Sequence, residues 1–213
     1  MSADAGVIRH AAGMLLAYPD RAARDRLPLV AAALAEQPRS RVRTDLIRFT
    51  EELAAADPSA AAAEYVETFD LRRRRSLHLT YYSDGDTRRR GGALAAVKGV
   101  IREAGWVPPV DELPDHLAVL CEFAARDPDR GVRLLVELRP GLELLREALR
   151  EAGSRYLVVV DAVRGTLPAG DATLAERVRR LAGEGPARES VGLSGYGGAV
   201  PLGMPTTARG GAR

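Results

Sequence analysis

Cysteine is almost missing from this sequence. Cys121 stands alone among 213 residues, so no intrachain disulfide can form and no thiolate cluster is available for structural zinc or an iron–sulfur centre. Histidine is nearly as scarce: His10, His78 and His116 are widely separated and belong to no HxxxH or HExxH pattern, which removes the usual helical metal sites. Aromatic residues make up only 5% of the chain; the core must come from Leu, Val and Ala, which favours packed helices over a β-sandwich. No apolar run approaches the roughly 20 residues that span a bilayer, and Met1 to Gly6 lacks the basic start and apolar stretch of a secretory signal. A soluble, cytoplasmic protein without direct membrane insertion is expected. Catalytic and nucleotide signatures are missing too. There is no GxSxG, GxGxxG or GxxxxGK[ST], hence no nucleophile elbow and no phosphate-cradling loop, and neither enzymatic activity nor a bound cofactor is expected. Asn does not occur and Lys98 is the only lysine, while 31 basic residues face 29 acidic ones for a net charge of +2. The isoelectric point of 8.9 therefore reflects near balance among many charges and not a polycation.

What is present is a succession of helical stripes. Val7, Ile8, Ala11, Met14, Leu15 and Tyr18 recur at helical spacing before Pro19. Residues 21–36 read as helix with Pro28 in a first turn, and Val42, Leu46, Phe49 and Leu53 mark the next stripe. Asp57-Pro58 is an N-cap followed by a proline at the first helical position, predicting helix through Phe69 with Tyr65 and Phe69 on one face. Asp86 or Thr87 caps a helix carrying Leu94, Val97, Val100 and Ile101. Leu117, Leu120, Cys121 and Ala124 form an inward face at i, i+3, i+4 and i+7. Leu134, Leu135 and Leu138 extend the bundle, and Pro140 opens a further segment. Val158 to Val160 could form a strand alone, but with helical sequence on both sides and no partner strand they read as buried helix. Leu174 to Leu181 gives a last helix. The expected architecture is all-α: one helical-bundle domain over residues 1–183, then a flexible Gly/Pro-rich tail over 184–213, with an apolar cluster at Val191, Leu193 and Tyr196 able to dock.

The stretch Tyr65 to Gly91, YVETFDLRRRRSLHLTYYSDGDTRRRG, follows neither helix nor strand periodicity. Arg72, Arg73, Arg74, Arg75, Arg88, Arg89 and Arg90 set seven positive charges against Asp70, Asp84 and Asp86. Either they are solvated and paired with neighbouring carboxylates, or they contact an anionic partner. Asp84-Gly85-Asp86 lacks the further oxygen ligands of a calcium loop and reads as a turn. Tyr65, Phe69, Tyr81 and Tyr82 either pack in the core or edge an apolar groove. Glu112-Leu113-Pro114-Asp115-His116-Leu117 places carboxylates and an imidazole at a helix start, where the helix dipole favours acid residues; Asp115 and His116 lack the nucleophile that acid–base catalysis would need.

Taken together, LLAYPD at Leu15 to Asp20, the block Tyr65 to Gly91, ELPDHL at Glu112 to Leu117 and VGLSGYG from Val191 resemble the NarJ-type chaperones of the TorD-like superfamily. The resemblance implies an all-helical cytoplasmic chaperone, monomeric or weakly dimeric. Its partner is the catalytic (alpha) subunit of respiratory nitrate reductase, held until its molybdenum cofactor is inserted and recognised through its N-terminal segment. The client-peptide contacts it implies are Tyr65, Phe69, Glu112, Pro114, Asp115 and His116; the apolar-groove reading of the residues adds Leu77, Tyr81, Tyr82 and Leu117. The expected mode is a helix laid in a groove, with its apolar face on Tyr65, Phe69, Leu77, Tyr81 and Leu117 and carboxylates at the rim. On this reading no nucleic acid is bound. The competing reading is an all-α nucleic-acid regulator using Arg72 to Arg75 and Arg88 to Arg90 on phosphate.

Overall fold

A computed structural model of the chain describes residues 3–108 and 112–185. Among these the regular structure is helical throughout: α1 Ala3–Leu15, α2 Arg21–Asp25, α3 Leu27–Ala35, α4 Arg41–Ala55, α5 Pro58–Tyr65, α6 Tyr81–Asp84, α7 Arg88–Glu103, α8 Leu117–Arg126, α9 Pro128–Glu137, α10 Arg139–Glu151, α11 Leu157–Gly165 and α12 Ala172–Glu184. A π-turn at Val66–Asp70 and a 3-10 turn at Arg73–Arg75 interrupt the series between α5 and α6. Val158 to Val160 are helical, with Val159 and Val160 fully buried. The tail cluster at Val191, Leu193 and Tyr196 lies outside the described residues.

Capping chemistry fixes the helix starts. Asp20, Ser40, Asp57, Asp127 and Asp171 each accept a backbone N–H of their own first turn, the role for which short polar side chains are suited. Pro28, Pro58, Pro128 and Pro140 sit at first or second helical positions, where a missing N–H costs nothing. α7 differs: its N-cap is Thr87, but the Thr87 hydroxyl donates back to Asp84 O at 2.8 Å and makes no cap bond. Only Val97 and Ile101 of its predicted stripe are fully inside.

α1 is the central element, packed along α8 and crossing α3, α4 and α11. Its Ile8, Ala11, Ala12, Leu15 and Leu16 are buried, each large side chain contributing about 1.5–3 kcal/mol of transfer free energy. Gly13 permits the closest approach to α8, since a Cβ there would lie 3.0 Å from Ala118 O. At the other end of the core α10 supports the 3-10 turn and α6. Gly141 lets them in, because a Cβ there would meet Leu79 O at 2.7 Å.

The helix predicted to run through Phe69 changes character after Tyr65. The bond from Leu71 N to Val66 O, 3.0 Å, closes a wider i→i+5 turn. That extra width brings both Thr68 and Phe69 inside. Phe69 then joins Tyr65, Phe49 and Tyr156 in one aromatic knot with ring centroids 4.9–6.1 Å apart.

Candidate functional site

The irregular stretch is pinned to the start of α8 by two main-chain hydrogen bonds, Leu79 N to Asp115 O at 3.1 Å and Leu117 N to Leu77 O at 2.9 Å. This single antiparallel bridge sets His78 opposite His116, their rings 5.2 Å apart. Beneath it, Asp115 is 0% exposed. Its carboxylate accepts the Thr80 N–H at 3.1 Å and the Thr80 hydroxyl at 2.5 Å, with His78 Nδ1 at 3.2 Å and Arg90 Nη2 at 3.7 Å. Burial alone would raise this carboxyl. The hydrogen bonds from His78 and Thr80, with the charge of Arg90, outweigh it and hold the group below the ordinary carboxylate range. Asp115 is thus a buried staple between two chain segments.

His116 does different work one residue later. Its Nδ1 accepts the Ala118 N–H at 3.2 Å and caps α8. Burial, and then the neighbouring His78, push the imidazole down to about 3, so it is neutral at physiological pH. With Nδ1 accepting, the ring proton sits on Nε2, 3.8 Å from Glu112 Oε2. His78 turns its Nε2 toward the same carboxylate, at 3.9 Å. Two imidazoles and a glutamate would suit zinc by residue type, but the protonated Nε2 of His116 has no lone pair to give. Among the described residues no group of three ligands suited to a metal forms. The neutral ring also cannot make binding depend on pH near neutrality.

Above these groups opens a cleft of about 460 Å³ between α1, the π-turn and the start of α8. Tyr65, Glu112 and His116 of the predicted contacts line it; so do His10, Gly13 and Met14 from α1, Ala17 and Tyr18 just beyond it, and Arg26 between α2 and α3, which no sequence argument had assigned to the site. Tyr18 is 48% exposed and stands edge-on to Tyr65 at 5.4 Å. The Tyr65 hydroxyl is spent on Leu16 O at 3.0 Å, and burial raises its pKa, so only the edge of this residue faces the cleft. Two signals pointed to α1: the Leu15 to Asp20 segment already carried part of the resemblance, and Gly13 interrupts an apolar helix face, the mark of a close approach.

The predicted apolar groove differs in its walls. Leu77 and Leu117 are 3% and 0% exposed, because the bridge that joins their backbones also folds their side chains into the core. Tyr82 is buried with its hydroxyl donating to Arg74 O at 3.1 Å and Ser76 O at 3.0 Å, a clamp on the arginine turn. Phe69 and Tyr81 face a second, smaller cavity of about 290 Å³, shared with Arg73, Asp86 and Arg90. His78 and Asp70 line both cavities and stand between them. Among the described residues, the two cavities do not join into one trough from Phe69 to Leu117.

The arginines form a separate face. Asp86 lies 3.9 Å from Arg73 and 3.5 Å from Arg90 and so joins the two clusters. Arg89 reaches Asp84 at 3.5 Å, Arg74 reaches Glu151 at 3.7 Å, and Arg75 donates to Glu67 O at 3.2 Å. Arg72 to Arg75 border a shallow hollow over the C-terminal end of α10 at Ala148, Glu151 and Ala152, where the helix dipole itself favours cations.

Known proteins resemble the chain in both sequence and fold. It is 47% identical over 117 residues to the nitrate reductase-like protein NarX of Mycobacterium tuberculosis, a match covering 54% of this chain and 18% of NarX. It is 35% identical over 123 residues to the NarJ protein of Bacillus subtilis, named as a nitrate reductase molybdenum cofactor assembly chaperone, covering 58% of this chain and 67% of that one. The Escherichia coli K12 NarJ, named likewise, is 36% identical over 114 residues and covered over 48% of its length. The chain thus spans under a fifth of NarX, about two thirds of the B. subtilis chaperone and just under half of the E. coli one. A crystal structure described as that of a redox enzyme maturation protein from Archaeoglobus fulgidus superposes with a TM-score of 0.56 at 20% identity, over 75% of this chain and 91% of that one; the likeness is one of fold. A family model described as nitrate reductase delta subunit matches residues 32–160, more than half of the sequence. The chain belongs to the nitrate reductase delta subunit family.

Proposed function

We propose that this protein is an assembly chaperone for respiratory nitrate reductase. It binds the N-terminal segment of the catalytic subunit in the cleft between α1, the π-turn and the start of α8, and holds that subunit competent for molybdenum-cofactor insertion. Family membership supports the role, and the B. subtilis and E. coli relatives are named as assembly chaperones. The observation that carries the choice of site is the cleft itself: about 460 Å³, walled by Met14, Ala17, Tyr18 and Val119 and edged by Asp70, Glu112 and Glu122, with Arg26 as the one cation among the described residues that line it. That volume admits a few side chains of a peptide and not the whole face of a helix. An apolar pocket with a carboxylate rim gives micromolar, releasable binding once association and ordering costs are subtracted.

Side chains that could serve catalysis are otherwise engaged. Cys121 is sealed in the core and burial pushes its thiol up to about 12, while His116 is a neutral cap. The nucleic-acid reading has less support, since Arg73, Arg74, Arg89 and Arg90 each lie within 4 Å of a carboxylate.

Tyr18→Ala tests the site. Tyr18 is half exposed and its ring touches only the rim of the aromatic knot, so folding is retained. Affinity for a synthetic peptide of the client's N-terminal segment, measured by calorimetry, is expected to fall roughly tenfold or more, the scale of an aromatic anchor in an interface. Equal affinity for both proteins would exclude this cleft. Truncating Tyr65 and Phe69 is a poorer experiment, since removing two rings from the knot costs about 3–5 kcal/mol each in stability.

A further inference from the structure

We infer that Arg26 is a specificity residue of the cleft. It receives a carboxylate of the bound segment and so sets the direction in which that segment lies, with a basic side chain toward Asp70 and an acidic one toward the corner between α2 and α3. The inference rests on the peptide-binding reading above and adds to it a residue, and a charge pattern that the ligand must carry.

The corner that carries Arg26 is held from several sides. The Asp20 carboxylate accepts the Ala23 N–H at 2.7 Å. Arg24 donates to three carbonyls at the end of α4: Leu53 O at 2.9 Å, Ala54 O at 3.2 Å and Ala56 O at 2.7 Å. The Arg26 backbone closes α2 through its N–H to Ala23 O at 3.2 Å and opens α3 by accepting the Val30 N–H at 3.1 Å, and Leu27 beside it is sealed in the core. The side chain is left out of this arrangement. It makes no cap bond and, among the described residues, no other hydrogen bond or ion pair, while it lines the cleft. The other arginines of this short helix are spent, Arg24 on α4 and Arg21 on Asp25 at 3.9 Å.

Asp70 is its counterpart. It lines the cleft from the end of the π-turn, and among the described residues its carboxylate has no ion pair either. Opposite charges that share a cleft without meeting each other match a ligand whose own charges are spaced apart. A segment with basic groups alone would satisfy the carboxylates and be set against Arg26 on filling the cleft. One with a carboxylate at that place gains a charge-assisted pair, in which the planar guanidinium can hold both oxygens. Charges placed in this way contribute more to register and to rejection of wrong partners than to raw affinity. Apolar contact is on hand beside each charge: Leu29, one turn along from Arg26, and Leu71, next to Asp70, are both exposed.

A charge swap read by calorimetry tests this, with the synthetic N-terminal client peptide, amidated at its C-terminus, as probe. Arg26→Gln is expected to weaken binding about threefold, the scale of one exposed pair, and Arg26→Glu about tenfold, since a repulsion replaces an attraction. Both should melt with the parent, because the side chain they change has no partner among the described residues. Neutralising the peptide's carboxylates one at a time finds the group that Arg26 receives: that change costs about threefold against the parent and nothing further against Arg26→Gln. Lysine at the same peptide position restores binding to Arg26→Glu, and the gain shrinks in about 0.5 M salt. If no peptide carboxylate couples to Arg26, or if Arg26→Glu binds the unmodified peptide more tightly than the parent does, the inference is overturned, and a retained loss in Tyr18→Ala shows that the cleft assignment stands. If Tyr18→Ala and both Arg26 variants bind as the parent does, the peptide-binding reading of the cleft itself fails.

Discussion

The cleft and the arginine face lie on either side of His78 and Asp70, and they treat polar groups in opposite ways. On the arginine face charge is dense and compensated: Asp86 bridges Arg73 and Arg90, and Asp84 and Glu151 take Arg89 and Arg74. In the cleft Arg26, Asp70, Glu112 and Glu122 stand beside an apolar wall, and among the described residues Glu112 has imidazoles at 3.8–3.9 Å in place of a close ion pair. A paired surface charge contributes about 0–1 kcal/mol, whereas an unmet polar group beside an apolar wall represents affinity waiting for a ligand. In this protein the run of arginines that dominates the sequence is the quieter surface.

The sharpest way to break the division is to remove the staple between the two sides. Asp115→Asn leaves the Thr80 N–H, the Thr80 hydroxyl and His78 facing an amide in place of a carboxylate, inside a closed environment. Loss of one partner from a buried charged network costs about 3 kcal/mol or more, and a lower urea midpoint at pH 7 checks it. The sign with pH follows from the depressed carboxyl. Its stabilisation is full above the unfolded value near 4 and is lost as pH falls through the folded one, so Asp115→Asn is expected to have the flatter acid limb. Should the variant match the parent in stability while the peptide still binds, the bridge is not what holds the cleft wall.

A smaller effect separates His116 from Asp115 by their pH windows. The folded imidazole is depressed from 6.5 to about 3, so protons bind the unfolded chain first. His116 therefore leaves stability unchanged above about pH 6.5 and erodes it as pH falls from there toward 3. Urea midpoints at pH 7.0, 5.5 and 4.5 are expected to decline more steeply for the parent than for His116→Asn. Parallel curves would mean that the ring is hydrated and titrates freely.

The helices were legible because capping and periodicity are local. Asp57-Pro58 and the stripe Leu117, Leu120, Cys121 and Ala124 needed no tertiary information, and each is found as read. The site was legible only in outline. Tyr65, Glu112 and His116 do meet at one cleft, but which face each turns depends on the bridge of Leu77, His78 and Leu79 to Asp115, His116 and Leu117, a long-range pairing that no periodicity encodes. Leu77 and Leu117 look like groove wall in sequence and become core once their backbones pair. Arg9 is the opposite case. It reads as a surface charge between Ile8 and His10, yet it is fully buried with Nε on Ala124 O at 3.2 Å, and burial lowers its pKa. Position on the helix surface, not residue type, decides its fate.

The smallest expected effect tests the quiet side of the comparison. Arg73 and Arg74 are exposed, and their ion pairs are long, 3.9 and 3.7 Å. Changing both to Ser should alter unfolding free energy by less than about 1 kcal/mol in total, as for most exposed pairs, and should leave peptide affinity unchanged across a salt titration. If the arginine face were instead the binding surface, the double variant would lose affinity and its dependence on salt would flatten, because fewer counterions would be displaced on association. The pairing with Asp86 and Glu151 argues for the first outcome: an incoming anion would have to displace those carboxylates before it gained Arg73, Arg74 or Arg90.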